Sequence, residues 1–112
     1  MTLDEYQQEQ QRTANQSMMD RERLTVACLG LTGESGEVAD HVKKWLGQGH
    51  VLDLNAVLRE LGDVLYYVSE AAHSIGHTLQ DVADANIAKL RERYPRGFEV
   101  ERSVNRVAGN GG

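Results

Sequence analysis

The chain has 112 residues, room for one compact domain and no second. Aromatics make up 5% and proline occurs once, while a 40% hydrophobic content recurs at helical intervals; this argues against a sandwich or barrel and for an all-α protein. With 17 acids against 12 lysines and arginines the formal charge is −5, so no general positive field exists to attract nucleic acid, and no apolar run reaches the roughly 18 residues of a membrane span.

Thr2-Leu3-Asp4-Glu5 has the form of a capping box and predicts a short helix to about Ser17. Its glutamines give it a polar face, and Tyr6 and Ala14 leave it little to bury. Asp20 is the expected N-cap of a long helix over residues 21–46, with Leu24, Ala27, Leu31, Val38, Val42 and Trp45 along one stripe. Gly30, Gly33 and Gly36 interrupt that stripe, each at a cost of about 1 kcal/mol relative to alanine. They imply a groove for close helix packing, room for a bulky ligand, or both. Cys28, the single cysteine, cannot form an internal disulfide and is expected as a small core residue. That usage, with no N-terminal signal pattern, fits a cytoplasmic protein.

Asp53 or a neighbour caps the next helix, residues 54–75, which Gly76 ends. Its apolar face is broad, as expected for burial on more than one side of a bundle. Thr78 opens a last helix over residues 79–93, with Asp81 in the first turn and Pro95 beyond its end. The expected architecture is an antiparallel helical bundle in one domain, residues 1–106, followed by a flexible Gly-rich tail, residues 107–112. A helical chain this short buries a thin core, so oligomerisation is expected to complete it.

Two acid pairs, Glu34/Glu37 and Glu60/Asp63, mirror each other about Gly47-Gln48-Gly49. If the flanking helices fold back, all four acids arrive at one level and repel unless a hard cation sits among them. Acids on helices ordinarily form a solvated face, but three features argue otherwise here. Val38, His41, Val64 and Tyr67, not bases, occupy the i+4 positions. Glu60 and Asp63 lie among Leu58, Leu61, Val64 and Leu65, where unpaired charge is costly. The mirror spacing also sets like charge against like charge.

An all-oxygen donor set favours Mg²⁺, with Mn²⁺ as the alternative, and such sites suit phosphoryl chemistry. A di-iron centre needs two Glu-x-x-His motifs; only Glu70-x-x-His73 is present, roughly 10 Å beyond Asp63 along the helix. His73 and His77 are separated by Gly76 and read as helix-end histidines. Asn86, Lys89 and Arg93 share one helical face, either a solvated polar stripe or a clamp for phosphates. Lys43 and Lys44 lie near the acid face or simply favour the helix C-terminus.

Gly33-Glu34-Ser35-Gly36-Glu37-Val38-Ala39, Glu60-Leu61-Gly62-Asp63-Val64-Leu65-Tyr66-Tyr67, Asn86-Ile87-Ala88-Lys89-Leu90 and Arg93-Tyr94-Pro95-Arg96-Gly97-Phe98 together resemble the MazG-like nucleoside triphosphate pyrophosphohydrolases of the all-α NTP pyrophosphatase superfamily. The resemblance spans roughly residues 24–106. Gly33 stands where the family pattern often has a further glutamate, which leaves one fewer acid for an additional ion. The resemblance implies hydrolysis of a (d)NTP to the monophosphate and pyrophosphate, a house-cleaning of the nucleotide pool. It implies Mg²⁺ held by Glu34, Glu37, Glu60 and Asp63, with Glu34 orienting or deprotonating the attacking water. Asn86, Lys89 and Arg93 are then the nucleotide contacts, and a homodimer or homotetramer is the expected assembly. Trp45, Tyr66 and Tyr67 are candidates for lining the base pocket, although Trp45 also reads as core or interface. The alternative is a non-catalytic helical module that binds a nucleotide or a protein partner.

Overall fold

The structure, a computed structural model, describes residues 1–100; the predicted tail at 107–112 lies outside them. Four helices account for its regular structure: α1 (Leu3–Gln11), α2 (Asp20–Gln48), α3 (Leu54–Ser74) and α4 (Leu79–Arg93). Among the described residues there is no strand, only an isolated bridge between Pro95 and Gly97. The chain forms two compact units, Met1–Leu79 and the part from Gln80 onward.

In the first unit the predicted capping box is formed. The Thr2 backbone N–H donates to Glu5 Oε1 and the Glu5 N–H to Thr2 Oγ1, each at 3.1 Å. α1 ends at Gln11, short of the expected Ser17. The N–H groups of Arg12 and Thr13 tighten to i,i+3 bonds on Glu9 and Gln10, and the Thr13 hydroxyl takes the Gln10 carbonyl as well, at 2.8 Å. Asn15 then accepts from the Ser17 N–H, which sets a turn instead of a helix. α2 begins one residue earlier than expected: Met19 occupies the N-cap without a side-chain bond, and Asp20 sits in the first turn, where its charge is favoured. Its end is Gly49 in the left-handed region, φ 72°, with its N–H on the Lys44 carbonyl. Asp53 caps α3 as expected, accepting from the Ala56 N–H at 3.1 Å.

α2 and α3 fold back on each other as an antiparallel hairpin. Arg23 meets Glu70, Gly30 meets Tyr67 and His41 meets Glu60, so the partner on α3 recedes as the chain advances along α2. The apolar interior is small. Among the described residues only Ala27, Ala56, Ala72 and Leu79 are buried hydrophobics, whereas Leu29, Leu54, Leu58 and Leu61 are each at least half exposed. Cys28 is exposed, not core as expected, and Trp45 is 45% exposed. Much of the apolar face predicted for α2 and α3 is therefore exposed.

A buried polar network holds α1 onto the hairpin. Arg23 Nε donates to Glu70 Oε2 at 2.9 Å and Nη2 to Oε1 at 2.8 Å, a two-pronged pair with both side chains under a tenth exposed. Gln11 and Gln10 donate to the same Oε1, at 2.7 and 3.4 Å. Gln7 reaches the Ser69 carbonyl at 3.2 Å, and the Ser69 hydroxyl donates to Gln10 at 2.8 Å. Burial works against the charge on Glu70, but hydrogen bonds from Arg23, Gln11 and Gln10 overcome it and hold the carboxyl below its usual range. The bond to Glu70 likewise raises Arg23. Glu70, read in the sequence beside His73, is therefore a structural ion-pair partner.

In the second unit α4 carries Asp81 in its first turn and Arg91 and Arg93 in its last, matching the helix dipole at both ends. Beyond it the rings of Tyr94 and Phe98 lie 5.7 Å apart. With Ile87 and Leu90 they line an open groove of about 320 Å³.

Candidate metal centre

Antiparallel pairing brings together three of the four predicted acids. Glu34 on α2 and Glu60 and Asp63 on α3 each offer a carboxylate oxygen, and these atoms lie within 4.8 Å of one another. Glu34 and Glu60 are half-buried and Asp63 is exposed. Glu37 is exposed and is not part of this trio. It stands one helical turn further along α2, from where its charge is still felt at Glu34.

The electrostatics mark this cluster apart from the other acids on α2. Glu34 is pushed above its ordinary value, first by partial burial, then by hydrogen bonding with Glu60, then by the charges of Asp63, Glu60 and Glu37. Six residues on, Asp40 behaves in the opposite way. Lys44 and Lys43 bond its carboxylate at 2.8 and 3.2 Å and lower it. Asp40 is the ordinary solvated helix acid with bases at i+3 and i+4. Glu34 has no such base, and three further acids surround it. The same contacts place Lys43 and Lys44, which engage Asp40; Glu37 is a further, weaker influence on Lys44.

The donor set passes the test for a hard divalent cation: oxygen ligands only, convergent, and mutually repulsive without a positive charge. His41 Nε2 lies 3.7 Å from Glu60 Oε1, where it would orient a ligand from outside. Sequence reasoning noted His41 only as a missing base. Its spacing from Glu34 and Glu37, seven and four residues, was the available signal that it shares their face. Tyr6 was also missed: burial, then the Asp63 charge, raises its phenol, so α1 reaches toward the acid cluster. No local pattern in a glutamine-rich helix announces that.

The glycines divide. A Cβ on Gly30 would come within 2.5–2.7 Å of the Tyr67 ring, whereas Gly33 and Gly36 face open space. Close packing thus explains the first glycine, and the other two flank Glu34 without a neighbour. The polar face predicted on α4 is present. Asn86 is exposed, Lys89 and Arg93 are half-buried, and all three belong to the second unit. Tyr66 and Tyr67 meet edge to face at 5.2 Å, and the Thr13 hydroxyl bonds the Tyr66 hydroxyl at 3.1 Å.

The α2–α3 hairpin thus holds convergent carboxylates within an all-helical fold. The chain belongs to the MazG family: residues 23–98 match the MazG nucleotide pyrophosphohydrolase domain. It is also similar to the "Gene 37 protein" of Mycobacterium phage L5, 40% identical over 83 residues that cover 68% of this chain and 70% of that protein. No solved structure matches it. α1 precedes the matched domain. No helix among the described residues is long and apolar enough to cross a membrane.

Proposed function

We propose that the protein hydrolyses a (d)NTP to the (d)NMP and pyrophosphate in a Mg²⁺-dependent reaction. The observation that carries this reading is the trio of Glu34, Glu60 and Asp63, whose oxygens converge within 4.8 Å in a chain of the MazG family. These three would hold the ion, with Glu37 joining from the next turn. A bound Mg²⁺ supplies charge neutralisation at phosphate oxygens and acidifies water. Glu34 is the group we assign to orient or accept a proton from the attacking water. Asn86, Lys89 and Arg93 contact the nucleotide or its phosphates in this reading, two of them by charge-assisted bonds. The exposed leucines of α2 and α3 support a homodimer or homotetramer as the working form.

The test is pyrophosphate release from a broad panel of ribo- and deoxyribonucleoside triphosphates with Mg²⁺ and then Mn²⁺. Turnover of at least one nucleotide, lost in Glu60→Gln, is expected. Tight binding without turnover across the panel would favour a regulatory binding module instead.

A further inference from the structure

We infer that Gly30 and Tyr67 are positioning residues that set the width of the acid cluster; this rests on the metal reading above. The mirror that pairs Glu34 with Asp63 across the turn also pairs Gly30 with Tyr67, about the same point between Gln48 and Gly49. Gly30 lies one turn before Glu34 on α2, and Tyr67 one turn after Asp63 on α3. The two contacts are consecutive rungs of one antiparallel ladder, so the helix separation at the first fixes it at the second.

That first rung has no slack. The Cε1, Cζ and Cδ1 atoms of Tyr67 lie 2.5, 2.6 and 2.7 Å from where a Gly30 Cβ would stand, well inside normal contact. The ring is half-buried and packs edge to face on Tyr66 at 5.2 Å, and Thr13 holds the Tyr66 hydroxyl. Swinging the ring away therefore disturbs a second ring and the segment after α1. A methyl group at residue 30 is accommodated by moving α2 off α3, which carries Glu34 away from Glu60 and Asp63. Carboxylates on two helices bind one cation only when that separation is right. Gly30 is thus the cost α2 bears in helix propensity so that the acids can converge.

The experiment is Mn²⁺ binding to the full-length metal-free protein, followed by electron paramagnetic resonance of the free ion, with circular dichroism to verify the helices. Gly30→Ala is expected to weaken binding by about tenfold or more, in the range seen when support of a metal ligand is lost. Gly47→Ala, which also adds a methyl to α2 but into open space, controls for helix propensity. Removing the ring in the Gly30→Ala/Tyr67→Leu double variant should restore affinity to within about threefold of wild type. Equal Mn²⁺ affinity of folded Gly30→Ala and wild type would overturn the inference, as would failure of the double variant to recover affinity while remaining folded. If Gly30→Ala does not fold, the folded double variant decides alone. Absence of Mn²⁺ binding by wild type overturns the metal reading and this inference with it.

Discussion

The Arg23–Glu70 pair makes a quantitative prediction about what holds α1 in place. Replacing Glu70 with alanine leaves the Arg23 guanidinium buried without its counter-charge, since the two side chains are 4% and 8% exposed. Breaking such a pair costs about 3–5 kcal/mol. Arg23 keeps bonds to Gln11 and Gln16, at 2.8 and 3.3 Å, so the lower end, about 3 kcal/mol, is expected. For a domain of this size that corresponds to a fall in Tm of roughly 12 °C at least. The assay is thermal and urea unfolding followed by helical circular dichroism, at one fixed protein concentration so that association does not shift the midpoint. Arg12→Ala, which removes the largely exposed Arg12–Glu9 pair, supplies the reference and should cost under about 0.5 kcal/mol. Arg23→Met/Glu70→Leu should recover at least half the loss, because it leaves no orphaned charge. Acid adds an independent signature. The folded protein holds Glu70 below its ordinary value of 4.5, so its stabilisation is complete above that pH. As pH falls from there through the lowered folded value the contribution is lost, and Glu70→Ala should lack that slope. A Glu70→Ala loss no larger than the Arg12→Ala loss would refute the claim that the network holds the fold.

Asp63→Asn should abolish pyrophosphate release and Mn²⁺ binding while leaving the helical circular dichroism unchanged, because Asp63 is exposed and asparagine keeps its shape; retained turnover would count against it as a ligand. Mg²⁺ at 100 times its Kd should stabilise wild type by about 2.7 kcal/mol, and a melt unmoved by the ion would argue against the site. Without metal, the raised Glu34 group disfavours the folded state as pH climbs through its folded value, so the Mg²⁺-induced rise in Tm should grow with pH over that interval. On the proposed assembly, Leu58→Glu, placed where Leu54, Leu58, Leu61 and Leu65 present an exposed stripe, should reduce the light-scattering mass from that of a dimer or tetramer to that of a monomer; a wild-type mass equal to one chain would refute the proposed assembly.

The helices and the acid cluster were legible in the sequence because both depend on spacing. The capping box at Thr2, Asp53 and the glycine at 49 fix element ends through local bonds, and the mirrored acids need only two helices and a turn. Glu37 departs because mirror spacing specifies the level along the helices and not the rotation about each axis, so the second acid of α2 can point to solvent. The polar network was not legible. Arg23 and Glu70 are 47 residues apart, and Gln7, Gln10 and Gln11 have the composition of a solvated face. Only the approach of three helices turns those amides into buried partners. The exposure of Cys28 and much of the apolar stripe has a related cause. Periodicity shows which side of a helix is apolar, but what covers that side belongs to the rest of the assembly.

The left-handed Gly49 turn has a consequence for how such a chain can vary. The connection after it carries no regular structure before the Asp53 cap, with His50 and Val51 exposed. Residues added there would lengthen the loop without altering which α2 position faces which α3 position, since the contacts at Gly30 and Arg23 hold that alignment. One residue inserted between Gly30 and Glu34 would instead rotate the acid by about 100° about the helix axis and raise it by about 1.5 Å. By this geometry the chain can gain length between α2 and α3, while an insertion in the four-residue interval from glycine to glutamate would turn the acid away from its partners. Length variation itself becomes a readout of where the chemistry sits.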